Sequence, residues 1–185
     1  PLAGGMLRYG IPAYRLPREI LDKEIEAIKD LGIEIKTHVT FGKEITLDSL
    51  RNDGFSAFYM AVGLQNSRQL GIEGEDKDGV QQGVDFLRQV GFDDEIPEVR
   101  NRVVIIGGGN VAVDVARTAV RLGASEVHMA CLESRETMPA HEWEVQEALD
   151  EGIIIHNDRT FLRVVDNGNG RVAGVECQDV AHFEF

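Results

Sequence analysis

The chain has 185 residues, of which 43% are hydrophobic and 28% are charged, the composition of one globular domain or of one domain with a fragment of another. Its 32 acidic and 19 basic side chains give a net charge of −13, which argues against nucleic acid and anionic membrane surfaces as partners. No apolar run reaches the ~20 residues of a membrane span, and two cysteines, Cys131 and Cys177, form neither a disulfide framework nor a metal motif. We therefore expect a reduced, cytoplasmic setting.

The N-terminal third of the chain is predicted to contain two helices and two strands. Residues 1–12, which include the pair Gly4-Gly5, are predicted as loop. Apolar residues at three- and four-residue spacings predict a helix over residues 17–31, with Pro17 in its first turn and Gly32 as its left-handed cap. The other predicted elements are a strand at 33–36, a short helix capped by Thr46 or Asp48 that runs to Arg51, and a buried strand at 55–62.

The rest of the chain alternates strands with helices. A loop at 64–82 and a short helix at 84–90 precede four β-branched residues at 103–106, which predict a strand buried on both faces. The elements predicted after it are a helix at 110–122, a strand at 126–132, a helix at 141–150, a strand at 153–156, and a hairpin with strands at 161–165 and 171–177. Residues 183–185 again have the pattern of a strand, and both ends are predicted to be cuts through a longer protein, the alternative being a processed or naturally short chain. The expected fold is α/β, a Rossmann-like parallel sheet with helices on both faces and an added antiparallel hairpin.

A glycine motif stands between the strand at 103–106 and the helix that follows it. Gly107, Gly109 and Ala112 have the G-x-G-x-x-A spacing of dinucleotide-binding units. In such units the first glycine allows a tight turn, the second lets the pyrophosphate approach the backbone, and the third small residue lets the helix pack closely. We expect a positive φ at Gly109 and a helix N-terminus that attracts the pyrophosphate. The candidate cofactor-binding residues of this motif are Gly107, Gly108, Gly109, Asn110, Val111 and Ala112. The alternative is a glycine-rich turn that binds nothing.

Two charged residues follow the second predicted strand. Glu133 lies 24 residues beyond Gly109, near the place where an acidic residue holds the ribose hydroxyls in NAD-type units. Arg135 is placed to pair with the 2′-phosphate of NADP instead. Both residues are candidate cofactor contacts, and the alternative for each is a solvated surface charge.

Longer motifs extend over nearly the whole chain, at residues 4–12 with 15–17, 61–63 with 74–76, 107–117 with 121–124, and 138–140. In this combination the sequence resembles the pyridine-nucleotide domain of the glutamate synthase small subunit family, a relative of two-nucleotide flavoprotein reductases such as thioredoxin reductase. The resemblance implies a parent oxidoreductase that binds FAD through an earlier glycine fingerprint and NAD(P)H through this one. Hydride would pass from nicotinamide to flavin, and electrons onward to iron–sulfur clusters or a partner subunit.

The resemblance also implies how the chain is divided. Residues 1–63 would be the tail of the first half of the flavin domain, and residues 64–185 the nucleotide domain, truncated at its C-terminal end. Because the sequence contains neither the FAD fingerprint nor iron–sulfur cysteines, we expect the segment alone to be inactive, with no catalytic residue and no metal ligand.

The sequence departs from the family at one informative place. The family commonly carries an Arg-Arg pair after the second strand, where it holds the 2′-phosphate of NADPH, and here Leu132 and Glu133 stand there. This departure predicts that NAD(H) is favoured over NADP(H). Two other functions stay open: a stand-alone nucleotide-binding redox sensor without turnover, and a scaffold subunit that has lost nucleotide binding, against which the intact glycine motif argues.

Overall fold

The computed structural model describes residues 2–92 and 99–181, and in these ranges it contains six helices and five strands. The helices are α1 (Met6–Tyr9), α2 (Arg18–Asp30), α3 (Leu47–Asn52), α4 (Gly83–Phe92), α5 (Asn110–Arg121) and α6 (Glu142–Asp150). The strands are β1 (Arg102–Ile106), β2 (Glu126–Ala130), β3 (Ile154–His156), β4 (Arg159–Asp166) and β5 (Val172–Asp179). None of the helices in these ranges has the length and apolar character needed to span a bilayer.

The first three strands form a parallel sheet in the order β1-β2-β3, and β4 and β5 form a separate antiparallel hairpin. Parallel neighbours need a crossover, and α5 and α6 provide it between β1 and β2 and between β2 and β3. Ile106 pairs with Ala130, which pairs with His156, so the carboxyl ends of the three strands are level. The predicted Rossmann-like parallel sheet with helices and an added antiparallel hairpin is confirmed. The residues that follow these strands therefore meet at one edge of the sheet.

The core lies between the sheet and the crossover helices. Val113 and Ala116 of α5 and Val145 and Ala148 of α6 are fully buried and belong to the same hydrophobic cluster as Met129 of β2. β1 is less enclosed than predicted, because Val104, on its other face, is 45% exposed. The prediction that this strand is buried on both faces was therefore wrong, since α5 covers only the face that carries Ile105.

Two predicted strands in the N-terminal third are absent from the described residues. Residues 33–36 and 55–62 have no strand conformation, and the side chains of Phe55 and Tyr59 are 58% and 93% exposed. A strand needs a neighbour for its backbone N–H and C=O groups. The structure describes no strand paired with either segment, so the apolar pattern alone was misleading.

The N-terminal helices also differ in detail from the predictions. Part of the predicted loop at 1–12 is helix α1, which packs on α4 where Gly91 leaves room for the backbone of Tyr9. Pro17 is the N-cap of α2 and not a residue of its first turn. Thr46 caps α3 as predicted, in a capping box with Ser49. The strand pattern at 183–185 lies outside the described residues.

Arginine–glutamate pairs join α5 to α6. The guanidinium groups of Arg117 and Arg121 donate to the Glu151 carboxylate over 2.7–2.9 Å. The hydrogen bond from Arg121, followed by that from Arg117, lowers the pKa of Glu151 from the usual 4.5 to about 2. A carboxyl group with a depressed pKa contributes stability above its ordinary pKa and loses that contribution as the pH falls toward the folded value.

We therefore expect a Glu151→Gln chain to lose less stability between pH 7 and pH 3 than the unmodified chain, by about 1 kcal/mol after allowance for solvent screening. Urea unfolding at both pH values measures the difference. Glu176→Gln is the control, because its half-exposed carboxylate pairs with Arg163 on the hairpin. Equal pH dependence of the Glu151→Gln chain and the unmodified chain would contradict the assignment.

Candidate functional site at the carboxyl edge of the sheet

The chain turns sharply as it leaves β1. Gly107 has φ +136°, a conformation that side chains other than glycine rarely adopt, and its N–H donates to the Ala130 carbonyl over 2.8 Å. A Cβ atom on Gly107 would lie 3.4 Å from the Cβ of Ala112. The tight turn and the close approach of α5 are therefore both present, as the motif predicted.

Gly108, the variable position of the motif, is buried against the end of β2. A Cβ atom there would lie 3.0 Å from the Cβ of Cys131 and 3.1 Å from Oε2 of Glu133. The Gly108 carbonyl accepts a hydrogen bond from the Ala140 N–H over 3.1 Å. A side chain at this position would therefore be crowded by the side chains that follow β2, a constraint that the motif does not contain.

Gly109 is the N-cap of α5, with φ −93° and ψ 173°. The expected positive φ was wrong, because the tight turn is made at Gly107. A Cβ atom on Gly109 would have one neighbour within 4 Å among the described residues. That neighbour is Cγ of Pro139, at 4.0 Å. The space above this backbone is open, which fits the close approach of a bulky anionic group.

The first turn of α5 presents a partial positive charge. It contains no acidic side chain, and its N-cap, Gly109, has no side chain that could accept hydrogen bonds from its N–H groups. Val111 is half-exposed here. The amide oxygen of Asn110, Oδ1, accepts a hydrogen bond from the His141 N–H over 3.0 Å and so does not face this space. Asn110 therefore anchors the loop that leads into α6.

The loop after β2 brings Glu133 to the glycine turn. Its main-chain carbonyl accepts hydrogen bonds from Asn157 Nδ2 at 3.1 Å and from the Asp158 N–H at 3.2 Å, while its carboxylate lies beside Gly108. Arg135 is partly exposed and has no hydrogen bond or ion pair with the part of the chain that the structure describes. The structure thus brings Glu133 to the turn and leaves the Arg135 guanidinium available.

Cys131 and Asn157 belong to this site although the sequence analysis did not select them. Asn157 donates to the thiol of Cys131 over 3.4 Å, and burial of this thiol, with the charge of Glu133, raises its pKa. A buried, protonated thiol packs and does not react. The signal for Asn157 was its position directly after β3, since the ends of parallel strands meet at one edge.

Comparison with known proteins places this geometry in a family. Residues 2–185 match the family model described as pyridine nucleotide-disulphide oxidoreductase. The beta subunit of the NADP(+)-dependent formate dehydrogenase of Moorella thermoacetica is 47% identical over 96% of this chain and 25% of its own length. The small chain of glutamate synthase [NADPH] of Escherichia coli K12 is 37% identical over 95% of this chain and 39% of its own length.

A solved structure supports the fold. FprA from Mycobacterium tuberculosis superimposes with a TM-score of 0.71 at 18% identity, over 96% of this chain and 58% of that protein. Of the two curated relatives, the chain spans 25% of the formate dehydrogenase beta subunit and 39% of the glutamate synthase small chain. From the family match over residues 2–185, the chain belongs to the pyridine nucleotide-disulphide oxidoreductase family.

Proposed function

We propose that this chain is the NAD(P)H-binding part of a larger cytoplasmic flavoprotein oxidoreductase. The observation that carries the proposal is the glycine turn at the carboxyl edge of the sheet: Gly107 makes the turn, Ala112 packs against it, and the space over Gly109 is open. Open α/β sheets bind ligands at this edge. Backbone N–H groups at the start of α5 would hold the pyrophosphate, and Glu133 would contact the adenosine ribose.

The reaction follows from the cofactors that such a protein binds. NAD(P)H, when bound, supplies a hydride, which FAD of the larger protein would accept before electrons pass to iron–sulfur clusters or a partner subunit. The curated relatives named above are a beta subunit and a small chain, which supports a partner subunit. The work of this chain's own residues is to bind and orient the nucleotide.

Exposed apolar surface in the N-terminal third supports the assignment of residues 1–63 to a flavin domain. Residues 55–62 expose Phe55, Tyr59 and Val62. A cleft of about 580 Å³ lies between α2 and the segment at 35–39, and its lining includes Leu21, Ile25, Ile28, Ile35 and Val39. Large exposed apolar patches mark surfaces that another element covers. The remainder of a flavin domain is the partner we propose for them.

The choice between NADH and NADPH is a finer proposal. Glu133 beside Gly108 favours the unphosphorylated ribose of NAD(H). The two curated relatives carry NADP(+) and NADPH in their names, which does not support this preference. The preference for NADH or NADPH therefore has to be argued from the side chains of this chain and not from its relatives.

Calorimetric titration of the 185-residue chain with NADH and with NADPH tests the proposal. We expect saturable binding of at least one of them, at one site per chain. We also expect purified protein to be colourless, because the FAD fingerprint is absent from the sequence. Binding of neither nucleotide would contradict the function, and stoichiometric flavin in the purified chain would contradict the division into domains.

A further inference from the structure

The segment before α2 is held against both crossover helices by an arginine. Nε of Arg15 donates to Oδ1 of Asp114 on α5, and Nη1 of Arg15 lies 3.1 Å from Oε1 of Glu144 on α6. The side chains of Arg15, Asp114 and Glu144 are only 16%, 14% and 8% exposed. One guanidinium group therefore pairs with two nearly buried carboxylates on different helices. We call these three residues the Arg15 bridge.

The neighbouring tyrosine fixes the same segment. Two guanidinium groups of α5 lie over the Tyr14 ring, with Cζ of Arg117 at 4.9 Å and Cζ of Arg121 at 4.0 Å from its centroid. The Tyr14 hydroxyl donates to Asp114 over 3.2 Å. Burial, and next the charge of Asp114, raise the pKa of Tyr14 to about 12, so the hydroxyl stays a donor at neutral pH.

A chain of contacts connects the Arg15 bridge to the glycine turn. Cζ of Arg15 lies 5.2 Å from the centroid of the Trp143 indole, which is stacked on His141 at 6.2 Å with planes 9° apart. The His141 N–H is held by the side chain of Asn110, the residue after Gly109. Pro139, in the same loop, borders the open space over Gly109.

We propose that Arg15 is a positioning residue for the nucleotide site. Asp114 and Glu144 carry like charges on helices that pack together, and without Arg15 they repel each other in a poorly solvated place. That repulsion moves the first turn of α6, with His141 and Pro139, relative to the N-terminus of α5. Pro139, which borders the proposed pyrophosphate position, is then displaced. This inference rests on the proposed function.

Arg15→Gln is the direct test, and Arg163→Gln is its control because that arginine bonds an exposed glutamate on the hairpin. Calorimetry with NADH or NADPH, whichever the unmodified chain binds more tightly, is expected to show roughly tenfold weaker binding for Arg15→Gln, as for residues coupled in one network. Arg15→Lys should be intermediate, because an ammonium group lacks the planar fork that meets two carboxylates. Arg163→Gln should leave the affinity unchanged.

A charge rescue separates positioning from simple structural support. Adding Glu144→Gln to Arg15→Gln removes the repulsion and should restore most of the affinity. Trp143 is the sole tryptophan, so its fluorescence emission reports on its contact with Arg15. The emission should change in Arg15→Gln and not in Arg163→Gln. Unchanged affinity in Arg15→Gln, or equal loss in the single and double variants, would overturn the positioning role while the proposed function stands. Failure of the unmodified chain to bind either nucleotide overturns both.

Discussion

Replacing Gly109 with valine is expected to weaken nucleotide binding by at least about a hundredfold, while the free energy of unfolding falls by only about 1 kcal/mol. The backbone of Gly109, at φ −93° and ψ 173°, is one that valine adopts readily. The added side chain points into open space. Its Cβ would lie 4.0 Å from Cγ of Pro139, an ordinary van der Waals contact. Valine therefore fits the folded chain but fills the volume that we propose for the pyrophosphate. Calorimetry and urea unfolding measure the two effects.

Gly107→Ala is the contrasting variant. At φ +136° an alanine is strained by about 1–3 kcal/mol, and its Cβ would also lie 3.4 Å from that of Ala112. We expect this variant to lose stability and affinity together, whereas Gly109→Val loses affinity alone. If Gly109→Val keeps its affinity, the pyrophosphate does not lie over this turn.

The glycine motif predicted the turn and the helix packing well because both depend on residues close in sequence. Gly107 and Ala112 are five positions apart, and their contact follows from one strand, one turn and one helix. The role of Gly108 could not be predicted in this way. It depends on the distance to Cys131, which is set by how β2 lies beside β1. The expectation of a positive φ at Gly109 was wrong because the motif requires only that this position lack a side chain where the pyrophosphate approaches, and that requirement does not fix its backbone angles.

The N-terminal third was predicted less well because its order comes from distant contacts. Helix α1 has four residues, too few for an apolar periodicity, and it is stabilised by packing on α4. The segment at 55–62 has the composition of a strand, but strand formation needs a partner that the described residues do not contain. Arg15 belonged to a recognised motif, yet its two carboxylate partners lie about 100 and 130 positions away in sequence.

The choice of nucleotide is expected to depend on the residues at the end of β2. A 2′-phosphate beside Glu133 would bring about two negative charges toward a carboxylate held next to Gly108. One pair of charges at ~4 Å and an effective dielectric constant of ~20 contributes about 4 kcal/mol before screening. Partial exposure of Glu133 reduces this to a net preference of roughly 1–3 kcal/mol for NADH, about ten- to a hundredfold in affinity. Calorimetric titrations at equal ionic strength measure it.

The double substitution Leu132→Arg with Glu133→Arg should reverse this preference, because guanidinium groups bind phosphate through paired hydrogen bonds. Glu136→Arg is the control, since Glu136 lies in the same loop but is exposed and bonded to Ser134. It changes the net charge without placing a cation at the position proposed for the ribose, so the NADH preference should persist. Arg135, which the structure leaves without an ion pair among the described residues, opposes the prediction. If the unmodified chain binds NADPH more tightly and Arg135→Gln abolishes that advantage, Arg135 and not Glu133 sets the choice.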